Sequence, residues 1–179
     1  MTAPSDTPEF SHPVSVSRLP KEPSVYRLQA KPAERVALAA RFGLISLERL
    51  EAEVTLRPAP GGMIRLDATL EADVVQACVV TLDPVEAKVV DTFALLYGDV
   101  SEEDEILLGD DELVTEPLEN DVIDLGEAVA QQLSLALDPY PRSPAAVALE
   151  EGPQDSDEVQ RSPFAGLAER FKTGPSRKN

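Results

Sequence analysis

Apolar and polar residues alternate most regularly in the middle of the chain. Leu50, Ala52, Val54 and Leu56 alternate with Glu51, Glu53, Thr55 and Arg57, and Pro58-Ala-Pro-Gly-Gly62 then supplies turn residues. Beyond the turn, Ile64, Leu66, Ala68, Leu70, Ala72 and Val74 alternate with Arg65, Asp67, Thr69, Glu71 and Asp73. A period of two sustained over two such runs predicts an antiparallel hairpin with one face buried and one wet. A third strand is expected from Val85 to Tyr97, with Val85, Ala87, Val89, Phe93, Leu95 and Tyr97 on one side and Asp91 interrupting the register as a bulge. Shorter strands are expected around Val14 and Val16, where Pro13 favours an edge or a first position, and over Ser24–Ala30.

Helical spacing appears twice. Pro32 suits a first turn, and Val36, Leu38, Ala39, Ala40 and Phe42 form a stripe that Gly43 ends, which predicts a helix over 33–42. Leu125, Ala128, Val129, Gln132, Leu133, Ala136 and Leu137 predict a second over 125–137, stopped by Asp138-Pro-Tyr-Pro141. Asp124 is its expected N-cap, with Glu127 completing a pair that resembles a capping box. The fold class is α+β: a mostly antiparallel sheet of four to six strands, open or closed into a barrel, with two short helices. Residues 1–9 read as a disordered head, 10–142 as one domain containing an acidic loop at 98–121, and 143–179 as a mostly disordered tail. Within the tail, residues 163–171 have the spacing for a short helix, with Phe164, Leu167 and Phe171 as its apolar positions.

Composition changes this picture mainly through charge. The 179 residues hold 33 Asp and Glu against 16 Lys and Arg, a formal charge of −17. Eleven of the acids, and no Lys or Arg, lie between Ser101 and Asp124, so the acidity is local. A strongly acidic chain repels phosphate backbones unless a basic patch is present. No run approaches the roughly 20 apolar residues of a membrane span, and no secretory leader pattern opens the sequence, so a soluble cytoplasmic protein without membrane contact is expected.

Little in the chain suggests catalysis. His12 reads as a strand-edge or exposed histidine without companion ligands. Cys78, in Ala77-Cys-Val-Val, reads as a small buried hydrophobe and lacks a base close in sequence. The carboxylates lie on solvated strand faces or in the loop, and the stretch 99–112 lacks the spacing of an EF-hand. No phosphate loop, nucleotide fingerprint or nucleophile elbow is present, and no cofactor is implied. A metal-assisted hydrolase is the least favoured reading.

The run Leu47-Glu-Arg-Leu-Glu-Ala-Glu-Val-Thr-Leu56, then Val74-Val-Gln-Ala-Cys-Val-Val-Thr-Leu-Asp-Pro-Val85, Phe93-Ala-Leu-Leu-Tyr97, an acidic loop and Ile123–Pro141 resembles the YceD family of bacterial and plastid large ribosomal RNA subunit accumulation proteins. Pro163-Phe-Ala-Gly-Leu-Ala168 resembles the ending of many members. The resemblance spans about 10–142 plus that ending. It implies a non-enzymatic ribosome-biogenesis factor, with Cys78, Leu82, Pro84, Asp124 and Leu125 as structural motif positions. Many members carry Cys-x-x-Cys at the central motif and further cysteines after the last helix, suggestive of zinc. Here the second position is Thr81 and Pro139-Tyr-Pro-Arg-Ser-Pro144 holds no cysteine, so zinc is not carried over.

The resulting expectation is a protein that binds a basic ribosomal protein or assembly factor through its acidic face and loop. Glu102, Glu103, Asp104, Glu105, Asp110, Asp111 and Glu112 are the candidate contacts. The alternative is direct contact with ribosomal RNA through Arg18, Lys21, Arg27, Arg35 and Arg41.

Overall fold

The computed structural model describes residues 8–98, 114–118 and 120–146. In chain order the elements are β1 (Pro13–Ser15), β2 (Ser24–Gln29), α1 (Pro32–Phe42), β3 (Ser46–Pro58), β4 (Ile64–Ala77), β5 (Pro84–Tyr97), β6 (Val114–Glu116), β7 (Val122–Asp124) and α2 (Leu125–Ala136). Five strands make one sheet in the order β2-β3-β4-β5-β6, and β1 pairs with β7 in a second, two-stranded sheet. All neighbours are antiparallel except β6, which runs parallel to β5. The large sheet is open rather than a barrel, with β2 and β6 at its two ends.

The alternating hairpin forms as its pattern dictates. Ala52 faces Leu70, Val54 faces Ala68 and Leu56 faces Leu66, and all six are buried. One irregularity falls between Leu47 and Arg49, where β3 holds an extra residue against β4. That bulge turns both Leu47 and Leu50 inward, although a regular strand would put residues three apart on opposite faces. No bulge occurs at Asp91, because β4 and β5 pair without a break from Ile64–Tyr97 to Ala77–Pro84. Asp91 stays in register opposite Leu70, on the covered face, where it accepts a 2.7 Å hydrogen bond from Gln132 Nε2 of α2. A specific partner thus removes the penalty that a carboxylate would otherwise suffer there.

α1 begins with Pro32 in its first turn and has Glu34 accepting the Lys31 backbone N–H at 2.7 Å. Gly43 closes it at φ 66° in the left-handed region. Leu38 and Ala39 are buried, but Val36 is 72% exposed. Residues two apart lie about 200° around a helix, so Val36 and Leu38 cannot both face the sheet. α2 lies over β4 and β5, and Leu125, Ala128, Val129, Ala130 and Leu133 join the core beneath it. Each leucine fully buried there contributes about 2 kcal/mol of apolar burial.

Asp124 caps α2 through Oδ1, which accepts the N–H groups of Gly126 at 3.0 Å and Glu127 at 3.2 Å. The same carboxylate accepts the His12 N–H at 2.7 Å and the Ser11 hydroxyl at 2.5 Å. Only half of the expected capping-box pair forms, because Glu127 turns to Arg41 with contacts of 2.9 and 2.7 Å. Gly126 allows the tether to approach: a Cβ there would lie 2.5 Å from the Phe10 carbonyl oxygen. Phe10 is buried, and Glu9 reaches Arg41 at 3.0 Å. At the other end, Ser143 and Ala146 are buried, so the packed part runs to Ala146. Residues 1–7, most of the acidic loop and the tail segment 163–171 lie outside the described residues.

Candidate functional site

Three of the five family-motif positions, Cys78, Leu82 and Pro84, lie at the connection between β4 and β5, while Asp124 and Leu125 lie at the start of α2. Cys78 leaves β4 with its N–H donating to the Asp83 carbonyl at 2.8 Å, and its own carbonyl accepts the Leu82 N–H at 3.0 Å. Leu82 closes this turn at φ 61°, an uncommon conformation for a leucine, and is 75% exposed. Pro84 then opens β5, where a missing N–H costs least. The Cys78 sulfur has no exposed surface and accepts three backbone N–H groups, from Val80 and Thr81 at 3.4 Å and from Ser143 at 3.3 Å. Burial pushes the thiol up, but the Thr81 contact and the N–H groups of Ser143, Thr81 and Val80 outweigh it and bring the pKa to about 6. Cys78 is therefore buried, but as a hydrogen-bond acceptor and not as a simple hydrophobe.

The Thr81 and Ser143 hydroxyls lie 3.1 Å apart beside this sulfur. The residues around the sulfur do not fit zinc: Cys78 offers one thiolate, its neighbours are hydroxyls, and among the described residues no three His, Cys, Asp or Glu side chains are placed to hold a metal ion. Hydrogen bonds join the loop to the chain after α2, with the Val79 N–H also donating to the Pro141 carbonyl at 2.9 Å. Ser143 was not singled out from the sequence, yet Ser-Pro ahead of a helical turn at 144–146 carries the signal of an N-cap followed by a first-turn proline.

The wet face of the large sheet is not simply acidic. Register places Glu51 directly opposite Glu71, a repulsive pair, and Arg49 resolves it. Its guanidinium reaches Asp73 at 2.8 Å, Glu71 at 3.1 Å and Glu51 at 3.3 Å, and Lys88 adds a contact to Glu71 at 3.3 Å. Arg49 holds the Asp73 and Glu71 carboxyls below their ordinary values, with Lys88 assisting. Arg27 pairs with Glu53, and Arg57 and Arg65 share Asp67. Most strand carboxylates on this face therefore have a cationic partner.

All seven acidic contact candidates, Glu102 to Glu105 and Asp110 to Glu112, lie outside the described residues. Within their segment's bounds, β6 pairs with Leu95–Tyr97, a strand that the charge density did not predict, and Leu118 packs against the core while Val114 is exposed. Asp121 caps inward, accepting the Ser17 N–H at 3.0 Å. The basic candidates do not act as one group: Arg41 is held by Glu9 and Glu127, Arg27 by Glu53, and Arg35 donates to the Ala30 carbonyl at 2.9 Å. Arg18 and Lys21 are exposed. His12 is exposed at the edge, edge-on to Tyr26 with ring centroids 6.1 Å apart. No helix among the described residues is long and apolar enough to cross a membrane.

A family model described as "Large ribosomal RNA subunit accumulation protein YceD" matches residues 66–169, more than half of the chain. The matched stretch holds the Cys78 connection, the acidic segment, α2 and most of residues 163–171. No curated protein and no solved structure matches significantly.

Proposed function

This chain belongs to the YceD family of large ribosomal RNA subunit accumulation proteins, and on that premise we propose that it acts in the cytoplasm by holding a basic ribosomal protein or assembly factor through its acidic segment. Membership carries a role in the accumulation of large-subunit ribosomal RNA, and the family is not a known family of enzymes. The partner and the contact residues, Glu102, Glu103, Asp104, Glu105, Asp110, Asp111 and Glu112, are our reading.

The supporting observation is how charge is distributed along the chain. Most carboxylates on the sheet face are paired with Arg27, Arg49, Arg57, Arg65 or Lys88, whereas the sequence Ser101–Asp124 contains eleven acids and no base. A run of like charge steers a cationic surface toward it and competes with RNA for that surface. Three of the five basic candidates for RNA contact already bond to groups of this chain, so the protein partner is the better supported reading.

The test is affinity capture from lysate at low and high salt, with and without nuclease. The expected result is a set of basic partners that survives nuclease, weakens as the screening length shortens from about 10 Å at 0.1 M to about 3 Å at 1 M salt, and is lost when Glu102, Glu103, Asp104 and Glu105 are changed to Lys. Partners that vanish with nuclease and ignore the charge reversal would sink it.

A further inference from the structure

β5 is 14 residues long, yet on its outer side only Leu95, Leu96 and Tyr97 are paired, by β6. Among the described residues no strand lies beside the outer edge from Pro84 to Ala94. Such an edge presents a row of open N–H and C=O groups and is a template for another strand. Val85, Ala87 and Val89, which the alternation places on the covered face, are only half buried there, because the cover from α2 stops short of this edge.

We propose that this edge is a self-association seam, pairing antiparallel with the same edge of a second copy of this chain about a two-fold axis at Ala87. That register puts Glu86 opposite Lys88 of the second copy, and Lys88 opposite Glu86 of the second copy. Val85 then faces Val89 of the other chain, and Pro84 faces Val90. The symmetry repeats every contact twice, as an isologous interface requires. Glu86 is exposed and has no ion-pair partner among the described residues, so the seam supplies the partner it lacks. Lys88 is 58% exposed at its side chain and contacts Glu71 at 3.3 Å, which leaves room for a second carboxylate.

Apolar surface flanks the seam. Val90 is 58% exposed, and Leu135 on α2 is 77% exposed. An open groove of about 490 Å³ runs along this edge, lined by Ala87, Val89 and Leu135 together with polar groups such as Lys88, Asp91 and Gln132. The copied edge brings its own Val85 and Val89 to this side. Charged residues on an edge ordinarily prevent pairing, but Glu and Lys two positions apart around a central small residue make residues 84–90 complementary to themselves, with the like-charged Asp83 and Asp91 meeting just outside that stretch. The edge of β2 lacks that property: it is six residues long and its one charged residue is Arg27, so no register pairs opposite charges across a two-fold axis.

Sedimentation velocity of the full chain across a dilution series tests the seam. Wild type is expected to reach the mass of two chains at tens of micromolar. K88E, which places Glu against Glu86, should weaken association by about tenfold or more, and E86K/K88E should restore it. Thermal melts of both variants confirm that they fold. The seam is refuted if wild type keeps the mass of one chain up to about 100 µM, where a contact with Kd near 10⁻⁵ M would be populated. Unchanged association of K88E also refutes it. So does a monomer whose edge amides exchange slowly, since part of the same chain would then cover the edge. None of these readouts depends on the acidic segment, so the seam and the proposed function fail separately.

Discussion

At Cys78, burial and hydrogen bonding act on the thiol in opposite directions. Burial raises its pKa, and the contacts from Thr81, Ser143 and Val80 bring it down to about 6 from an ordinary 9.0. A group whose folded value is depressed stabilises the fold fully above its unfolded value and loses that contribution as pH falls through the folded one. The stabilisation should therefore be absent below about pH 6 and grow up to about pH 9. Cys78→Ser cannot ionise in this range, so urea unfolding of the two proteins should diverge as pH rises from 6 to 9, with a constant difference contradicting the account. The sequence shows a small residue at the end of an apolar strand, which predicts its burial. Its chemistry is not legible, because one of its donors, Ser143, lies 65 positions away and is brought in by the turn after α2.

At the scale of elements, the long hairpin and both helices are legible because periodicity over many residues reports one buried face. What is not legible is how elements meet. Asp91 looks like a break in β5 until Gln132 is seen above it, and Val36 looks like core until the helix is placed on the sheet. Gly126 looks like a weak helix residue, but it sits where the N-terminal segment crosses the first turn of α2. Gly126→Ala gains about 1 kcal/mol of helix propensity, and forces a methyl against the Phe10 backbone, a clash that costs about 3 kcal/mol. A net loss of about 2 kcal/mol in chemical denaturation is expected. A gain in stability would show that residues 8–12 are not seated there.

For the whole molecule, the −17 conceals two kinds of acid. A linear count cannot distinguish them, because Arg49 reaches Glu51 on its own strand and, across to β4, carboxylates 22 and 24 residues away. Glu71 and Asp73 sit below their ordinary values of 4.5 and 3.8 because of Arg49. Their contribution is thus full at neutral pH and disappears as pH falls below those values. Thermal melts should show Arg49→Gln least stable relative to wild type near neutral pH, with the gap narrowing below about pH 4.5. A gap that stays constant into acid would mean that the Arg49 ion pairs contribute nothing. The other kind of acid belongs to the segment between β5 and β6. The Gly98 N–H donates to the Glu116 carbonyl at 3.1 Å, and Leu95 lies beside Val114. Because β6 runs parallel to β5, residues 99–113 join Gly98, at the end of β5, to Val114, which lies three residues back along that strand, about 10 Å away. Doubling such a closed excursion adds only about 0.6 kcal/mol of closure entropy. The amount of negative charge carried there can therefore be varied almost independently of the scaffold, like the length of a leash tied at two neighbouring points.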